Sequence, residues 1–301
     1  MQTKDWSEAI GRPVKMRNGE ICFIAGDASK LNGMKSILSP IIGFSFDGKR
    51  ILPHSWDKNG ENRPDQDSIF DLIEYANEEE IQGFKQDVLD HSLNFCMWYK
   101  IPVTWEGAPF DSQKLILKTE RGTYIAQGES SVAEIDPNAI KGLTLLWELE
   151  KPKHFSIKNA ISGKILKTGN GRLGLIVEDM SKFPILSSIP TPLIGGTFNP
   201  NGDLCIETWM ADGKKDPEGF NSCNFNGYAN SEDSKCIIKV MSNTALQIAY
   251  EMEAFVTWDG EDEIRQIIGK NRRGDYIFEK EGKVSFVNPK DVTGAQIAKW
   301  R

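Results

Sequence analysis

The amino-acid sequence predicts a mainly β protein, a β-rich α+β fold built as a tandem duplication of a unit of about 150 residues. Three observations predict it. Turn-forming residues separate many short apolar runs, and the same landmark residues recur at a nearly constant distance along the chain. Helical periodicity is confined to a few segments, so helices are expected to be the minor element.

The repeat is clearest in the stretch Val-Thr-Trp-acid-Gly, which occurs at 103–107 and again at 256–260. An offset of 153 residues relates these stretches, and an offset of 152 or 153 relates many glycines, prolines and tryptophans elsewhere. The pairs include Gly11/Gly163, Lys15/Lys167, Trp56/Trp209, Gly60/Gly213, Trp105/Trp258 and Trp147/Trp300. Because the offset drifts by only one residue, we interpret residues 1–152 and 153–301 as two copies of one unit.

Each copy is interpreted in turn as two small β modules, because its Gly and Trp landmarks fall into two groups. Residues 1–77 form module A and residues 78–152 form module B of the first copy. Residues 153–230 and 231–301 are the corresponding modules A′ and B′.

The strands are expected where β-branched and aromatic residues lie between Gly or Asn-Gly turns, which supply the positive φ of tight hairpins. In the first copy, these runs are "ICFIAG", "PIIGFSF", "FCMWYKIPVTW" and "KLILKTERGTYIA". In the second copy they are "KILKTGNGRLGLIVE", "CIIKVM", "LQIAYEMEAFVTW" and "DYIFEKEGKVSFV". Helical spacing favours a helix at 67–76 and another at 78–93, whereas the counterpart at 231–246 reads as more strand-like.

Composition and charge narrow the class of protein. The chain of 301 residues is 39% hydrophobic and 26% charged and has a net charge of −7, values typical of a globular protein. The acidic excess lies in the first copy, and the absence of a basic stripe argues against direct binding of nucleic acid. Five sparse cysteines without CxxC spacing are interpreted as reduced thiols of a cytoplasmic protein, and no apolar run predicts a membrane span.

The A module carries a recognisable pattern: Trp6, "AIGRPVKMRNG" at 9–19, "PIIG" at 40–43, Trp56 and "NG" at 59–60. This pattern resembles short β-rich modules that recur in uncharacterised proteins of tailed bacteriophages. The resemblance covers residues 1–76 and, less closely, residues 155–213. It implies no known reaction, but it implies a phage setting inside a bacterial host cell.

The residue types that carry catalysis are not repeated between the copies. None of the three histidines or five cysteines recurs at the offset, and no pair has metal-ligand spacing, so we predict no catalytic residue, no metal and no cofactor. "GNGRLG" at 169–174 matches a dinucleotide-binding pattern. It is interpreted as a hairpin turn, because a strand rather than a helix is expected to follow it.

Two sets of residues are candidates for binding. Lys15 and Trp56, with their copies Lys167 and Trp209, offer a cation for a phosphate and an indole face for a base, so they are candidate ligand-binding residues. The alternative that the tryptophans anchor the cores of small modules stays open. The acidic stretch of the first copy is the candidate surface for a protein partner: Asp57, Glu61, Asp65, Asp67, Glu78, Glu79 and Glu80.

These features favour a non-catalytic binding protein that holds a host protein or a small nucleotide, and thereby interferes with a host or defence process. A virion-associated structural protein and an enzyme with an unrecognised carboxylate site are the alternatives. The oligomeric state is left open.

Overall fold

The computed structural model describes residues 5–47, 50–62, 67–146, 155–215, 217, 222–260, 263–280 and 283–299. Within these residues the chain forms twenty strands, all in antiparallel ladders, and two long helices. The expectation of a mainly β fold with a minor helical part is therefore confirmed.

The first half begins with a sheet, here the first A sheet, whose strands run in the order β4-β3-β2-β1-β5. Its strands are β1 (Arg12–Met16), β2 (Ile21–Asp27), β3 (Ile41–Phe46), β4 (Ile51–Trp56) and β5 (Leu72–Tyr75). Short 3-10 turns at Trp6–Ala9 and Ala28–Lys30 precede and follow the β1–β2 hairpin. Helix α1 (Glu78–Tyr99) follows β5 directly.

The remainder of the first half forms the first B sheet. Its strands are β6 (Val103–Thr104), β7 (Lys114–Lys118), β8 (Tyr124–Gln127), β9 (Val132–Ile135) and β10 (Thr144–Leu145). Strands β7, β8 and β9 form one ladder and β10 pairs with β6. A single bridge between Val103 and Gln113 connects the two parts, so the spatial order is β9-β8-β7-β6-β10.

The second half repeats this order. After the one-turn helix α2 (Ile157–Ala160), the second A sheet contains β11 (Leu166–Thr168), β12 (Leu173–Asp179), β13 (Leu193–Phe198), β14 (Leu204–Trp209) and β15 (Phe225–Tyr228). Helix α3 (Ser231–Glu251) leads to the second B sheet, with β16 (Phe255–Thr257), β17 (Arg265–Lys270), β18 (Tyr276–Lys280), β19 (Lys283–Val287) and β20 (Gln296–Lys299). The orders β14-β13-β12-β11-β15 and β19-β18-β17-β16-β20 match those of the first half.

The irregularities of the ladders repeat as well as their order. The three register shifts of the first half recur at matching places in the second half, each 152 residues later, and the second half has a fourth shift between β16 and β20. The pairs are Lys15/Met16 with Lys167/Thr168, Ile24/Gly26 with Ile176/Glu178, and Leu115/Leu117 with Ile267/Gly269. The two halves thus have the same topology in detail. Their origin by duplication stays our interpretation, as do the module boundaries, which fall between β5 and α1 and between β15 and α3.

The Val-Thr-Trp-acid-Gly stretch has a structural explanation. In both halves its glycine adopts a positive φ, 75° at Gly107 and 83° at Gly260. The backbone N–H of Glu106 donates to the carbonyl of Lys141, and that of Asp259 donates to Thr293, in each case at 2.9 Å. Trp105, before the turn, is buried, and its copy Trp258 is half-buried. Trp147 and Trp300 lie outside the described residues.

The helical expectation at 67–76 is wrong, because this segment forms a turn and then strand β5. The Asp71 carboxylate accepts the backbone N–H of Ser68 at 2.9 Å and closes the turn. Leu72 then pairs with Met16 and is buried, so a ladder partner overrides a local helical pattern.

The strand-like interpretation of 231–246 is also wrong. Asn230 caps helix α3 by accepting the N–H of Asp233 at 2.7 Å, just as Asn77 caps helix α1 through Glu80 at 3.0 Å. Apolar and small residues of α3 recur three or four apart along one side: Ile237, Met241, Ala245, Leu246 and Ala249. This periodicity buries one helix face in two different cores, and so the runs "CIIKVM" and "LQIAYE" are helical. Helix α1 likewise includes the run "FCMWY", which was expected to be a strand.

The central core lies between the two A sheets and contains side chains from both halves and both long helices. Its members include Phe23, Phe44, Phe84, Leu175, Ile194 and Met241. Each A sheet has a second core on the face that points away from the central core. Each long helix also shares one core with the B sheet that follows it. Burial of apolar area stabilises a fold by roughly 25 cal/mol per Å². Both halves bury apolar side chains in the central core, so this core holds the two halves together.

Contacts between the halves are reciprocal. Gly11 lies against the ring of Phe183, and Gly163, at φ +92°, lies against Leu31. Phe183 and Leu31 are themselves 152 residues apart, so the same contact occurs twice with the halves exchanged. In an interface between two subunits related by two-fold symmetry, each contact occurs twice with the partners exchanged. The two halves of this single chain contact each other in the same way.

Candidate functional site

Trp56 and Trp209 are fully buried, with 0% of each residue exposed. Each indole Nε1–H donates to a backbone carbonyl, Trp56 to Phe70 at 2.6 Å and Trp209 to Cys223 at 3.1 Å. Neither indole face is open to a ligand in this structure, so both tryptophans serve as anchors of the cores on the outer faces of the A sheets.

Lys15 and Lys167 pair with acidic residues at the start of the long helices. Lys15 Nζ lies 2.8 Å from Glu80 Oε1, and Lys167 Nζ lies 3.5 Å from Asp233 Oδ2. The hydrogen bond to Glu80 raises the pKa of Lys15, and it lowers that of Glu80. The duplicated lysines therefore connect each A sheet to the first turn of its helix.

The structure does not bring Lys15 and Trp56 together. Lys15 is on β1 and Trp56 is on β4, and strands β2 and β3 lie between them. Three strand spacings of roughly 4.8 Å put about 14 Å between the backbones of the two strands, and the two residues pair with opposite ends of β2 and β3. The neighbouring duplicated cations also serve the scaffold, because Arg12 lies 5.6 Å from the ring centre of Tyr75 and Lys164 lies 5.3 Å from that of Tyr228.

A partly buried polar pair occupies equivalent places on the β3–β4 and β13–β14 hairpins. In the first half, Ser45 Oγ and His54 Nε2 are 2.9 Å apart. In the second half, Thr197 donates to Glu207 at 2.7 Å, and Glu207 forms an ion pair with Lys215. The Ser45 hydroxyl resembles a nucleophile beside a base, but Ser45 is fully buried and no substrate carbonyl can reach it.

His54 predicts a pH dependence of stability. Burial lowers its pKa, an effect that the nearby charge of Glu20 opposes, whereas in the unfolded chain the imidazole takes up a proton near pH 6.5. The stability that neutral His54 contributes is therefore present above about pH 6.5 and is lost as the pH falls through the lower folded-state pKa. We expect His54→Gln to lose less unfolding free energy than the wild type between pH 7.5 and pH 5.5.

Urea denaturation at several pH values measures this difference. Carboxylates titrate in both the wild type and the variant. The difference between their two curves of unfolding free energy against pH therefore gives the contribution of the His54 imidazole alone. Parallel curves for the variant and the wild type would show that His54 is protonated as easily in the folded protein as in the unfolded chain.

Two acids of the predicted partner surface serve local structure instead. Asp57 is buried and accepts the N–H groups of Asn59 and Glu61, both at 2.9 Å. Burial raises the pKa of Asp57, although these hydrogen bonds oppose the rise. Glu80 is held by Lys15 and by the cap of α1. Asp57 and Glu80 are therefore not free for a partner, and Asp65 lies outside the described residues.

Three of the remaining acids are exposed beside strand β5. Asp67, Glu78 and Glu79 are exposed, and Glu61 is half-buried. Between them, β5 and the turn before it expose apolar side chains: 59% of Ile69, 46% of Ile73 and 38% of Tyr75 are accessible. We call the exposed residues Asp67, Ile69, Ile73, Glu74, Tyr75, Glu78 and Glu79 the acidic edge.

The isoleucines of the acidic edge occur in the first half only, whereas Tyr75 and Glu79 recur as Tyr228 and Glu232. Ile73 is the extra residue of the bulge between β1 and β5, and Asn226 is the extra residue of the matching bulge. By the same offset, Ser222 replaces Ile69 and Gly227 replaces Glu74. The sequence revealed the acids but missed the isoleucines, because their helical spacing was taken as a sign of burial.

No known protein family, curated protein or solved structure matches the chain. The resemblance to phage modules therefore stays a prediction. In the part of the chain that the structure describes, no helix is long and apolar enough to cross a membrane. The same residues contain no cluster of three or more His, Cys, Asp or Glu side chains that could hold a metal ion.

Proposed function

We propose that the protein is a non-catalytic binding protein that holds a basic protein partner at the acidic edge. One observation carries the proposal: the exposed side chains of Ile69 and Ile73 lie among exposed carboxylates in the first half, whereas Ser222 and Asn226 occupy the matching positions of the second half. Isolated apolar residues are common on surfaces, but a group of them rimmed by charge is typical of an interaction site.

The chemistry of the acidic edge specifies its partner. Carboxylates attract lysine and arginine and repel phosphate, so a basic segment of protein fits and a nucleic acid does not. Ile69, Ile73 and Tyr75 require apolar side chains between those cations. Lys15 and Arg17 neutralise part of the charge, since Lys15 contacts Glu74 at 3.6 Å and Arg17 contacts Asp67 at 3.5 Å.

The mode of contact follows from the backbone. Strand β5 is the last of its sheet, which is the position at which a partner strand could be added. The N–H of Leu72, however, already donates to the carbonyl of Gly60 at 2.8 Å. The edge is therefore partly closed, and side chains rather than ladder hydrogen bonds make the contact. In the phage setting that the resemblance implies, the partner is a host protein, and its capture interferes with a host or defence process.

Selection from a surface-displayed library of random twelve-residue peptides tests this proposal. We expect the purified protein to enrich peptides that combine lysine or arginine with apolar residues. Their binding should weaken as salt rises, because exposed charges are screened over about 8–10 Å at physiological ionic strength. Ile73→Asn, which inserts the residue of the second half, should weaken a selected peptide about tenfold, a loss of about 1.4 kcal/mol.

A matched pair of charge reversals supplies the control. Glu79 and Glu232 occupy the second position of α1 and α3, and both are exposed. Glu79→Lys should reduce binding of the selected peptides, whereas Glu232→Lys should leave their binding unchanged. Both reversals place a positive charge in the first turn of a helix, so each should destabilise its helix by a similar amount. Selection of acidic peptides, or equal effects of the two reversals, would contradict the proposal.

One observation favours self-assembly as a second candidate function. The outer faces of both B sheets expose the apolar pairs Ile116/Ile268 and Val132/Val284. The occupant of such a face would be another copy of the chain, because each chain presents the face twice and contacts between copies can repeat. Light scattering that shows oligomers in the wild type, but not after Val132→Lys and Val284→Lys, would favour this function over partner capture.

A further inference from the structure

A partly enclosed cavity of about 220 Å³ lies where the two halves meet. Residues 36–39 and Ser55 of the first half form one wall, and residues 202–204 and one side of α3 form the other. No residue of the acidic edge lines the cavity, and no residue of either binding set expected from the sequence lines it. It is therefore independent of the function proposed above.

The walls of the cavity are fixed by contacts between the halves. The hydroxyls of Ser36 and Ser242, both buried, are 3.1 Å apart and join the two walls. Thr244 Oγ1 donates to the carbonyl of Asn201 at 2.6 Å and holds the turn against α3. Gly202 has φ +85° and packs on Met241, so the turn approaches the helix closely. A cavity whose walls are held in this way is formed before a ligand arrives.

Two helix positions that line the cavity carry rings in the first half. The offset of 153 residues relates Thr244 and Ile248 of α3 to His91 and Phe95 of α1. The ring centres of His91 and Phe95 are 6.4 Å apart, and His91 lies 5.4 Å from the ring centre of Phe46. Three rings thus pack at these helix positions in the first half, whereas the smaller residues of α3 leave space. At these two helix positions, therefore, the first half carries larger side chains than the second half.

The lining specifies an amphipathic ligand with a cationic end. Leu38, Leu204 and Ile248 form an apolar surface, while Ser39, Ser55 and Thr244 carry hydroxyls. Asp203 is exposed at the rim and supplies the carboxylate. An apolar cavity of about 150 Å³ holds benzene, so this one accepts a molecule of roughly ten non-hydrogen atoms.

We infer that this cavity binds a small amphipathic amine, with the apolar body between Leu38 and Ile248 and the ammonium group at Asp203. Phenethylamine is the probe, and saturation-transfer NMR with calorimetry measures its binding to the full chain. A ligand of this size is expected to bind with Kd of about 1 mM. Phenylacetate, which has the opposite charge, should bind at least tenfold more weakly than phenethylamine. The neutral 2-phenylethanol should also bind at least tenfold more weakly than phenethylamine.

Two variants locate the site. Thr244→His with Ile248→Phe inserts the residues of the first half and should abolish binding of phenethylamine. Asp203→Asn should weaken phenethylamine about tenfold but leave 2-phenylethanol unchanged, and because Asp203 is exposed this variant tests the proposal even if the filled one fails to fold. No binding at 10 mM probe, binding that survives the filled variant in a folded protein, or equal affinities for the amine and the alcohol would each overturn the inference.

Discussion

Replacing Trp56 with alanine is expected to reduce the free energy of unfolding by about 3–5 kcal/mol, the usual cost of removing a large buried aromatic side chain. The indole is fully buried, and its N–H satisfies the carbonyl of Phe70. Truncation therefore leaves both a cavity and a carbonyl without its donor. We expect the same effect for Trp209→Ala, because the copy has the same burial and the same kind of hydrogen bond. Urea denaturation followed by circular dichroism measures both.

Trp98 provides the matched control for this experiment. It lies near the end of α1 with 80% of the residue exposed, so Trp98→Ala should change the unfolding free energy by no more than about 0.5 kcal/mol. If Trp56→Ala unfolded at the same urea concentration as Trp98→Ala, Trp56 would have to be accessible. The hypothesis of a stacking site at Lys15 and Trp56 would then regain its support.

Replacing Gly43 with alanine is expected to destabilise the protein by about 3 kcal/mol, the upper part of the range for overpacking. A Cβ at Gly43 would overlap the carbonyl oxygen of Phe23 and lie 3.1 Å from the Trp56 ring. Gly43 pairs with Ile24 at the register shift between Ile24 and Gly26, and because the overlapping atom belongs to the backbone, the backbone would have to move. Gly195, in the matching "PLIG" of the second half, meets the carbonyl of Leu175 in the same way and should respond equally.

A glycine without such contacts supplies the control. Gly83 is exposed within α1, and a Cβ there meets nothing within 4 Å. Gly83→Ala should therefore stabilise the helix by up to about 1 kcal/mol. A Gly43→Ala variant that melts at or above the temperature of Gly83→Ala would show that the β2–β3 ladder is not bulged at this position.

The positions of turns and anchors could be predicted from the sequence because they depend on local requirements that repeat. Gly60 and Gly213 adopt φ of +87° and +82°, which only glycine accepts readily, and the offset identified them as a pair. The sequence left open the alternative that Trp56 and Trp209 anchor cores. Their complete burial agrees with that alternative. Of the candidate surface, the sequence identified the exposed acids Asp67, Glu78 and Glu79, since charged side chains rarely bury without partners.

Tertiary contacts decided what local patterns could not. Residues 67–76 and 231–246 have apolar spacings that fit more than one element, and they became strand and helix according to whether a ladder partner or a packing core was available. Lys15 became a structural residue because Glu80, 65 positions later, lies beside it. The exposure of Ile73 depends on a bulge between two strands, and the cavity at Thr244 depends on the meeting of two halves. Both are relations between distant residues, which a single sequence does not display.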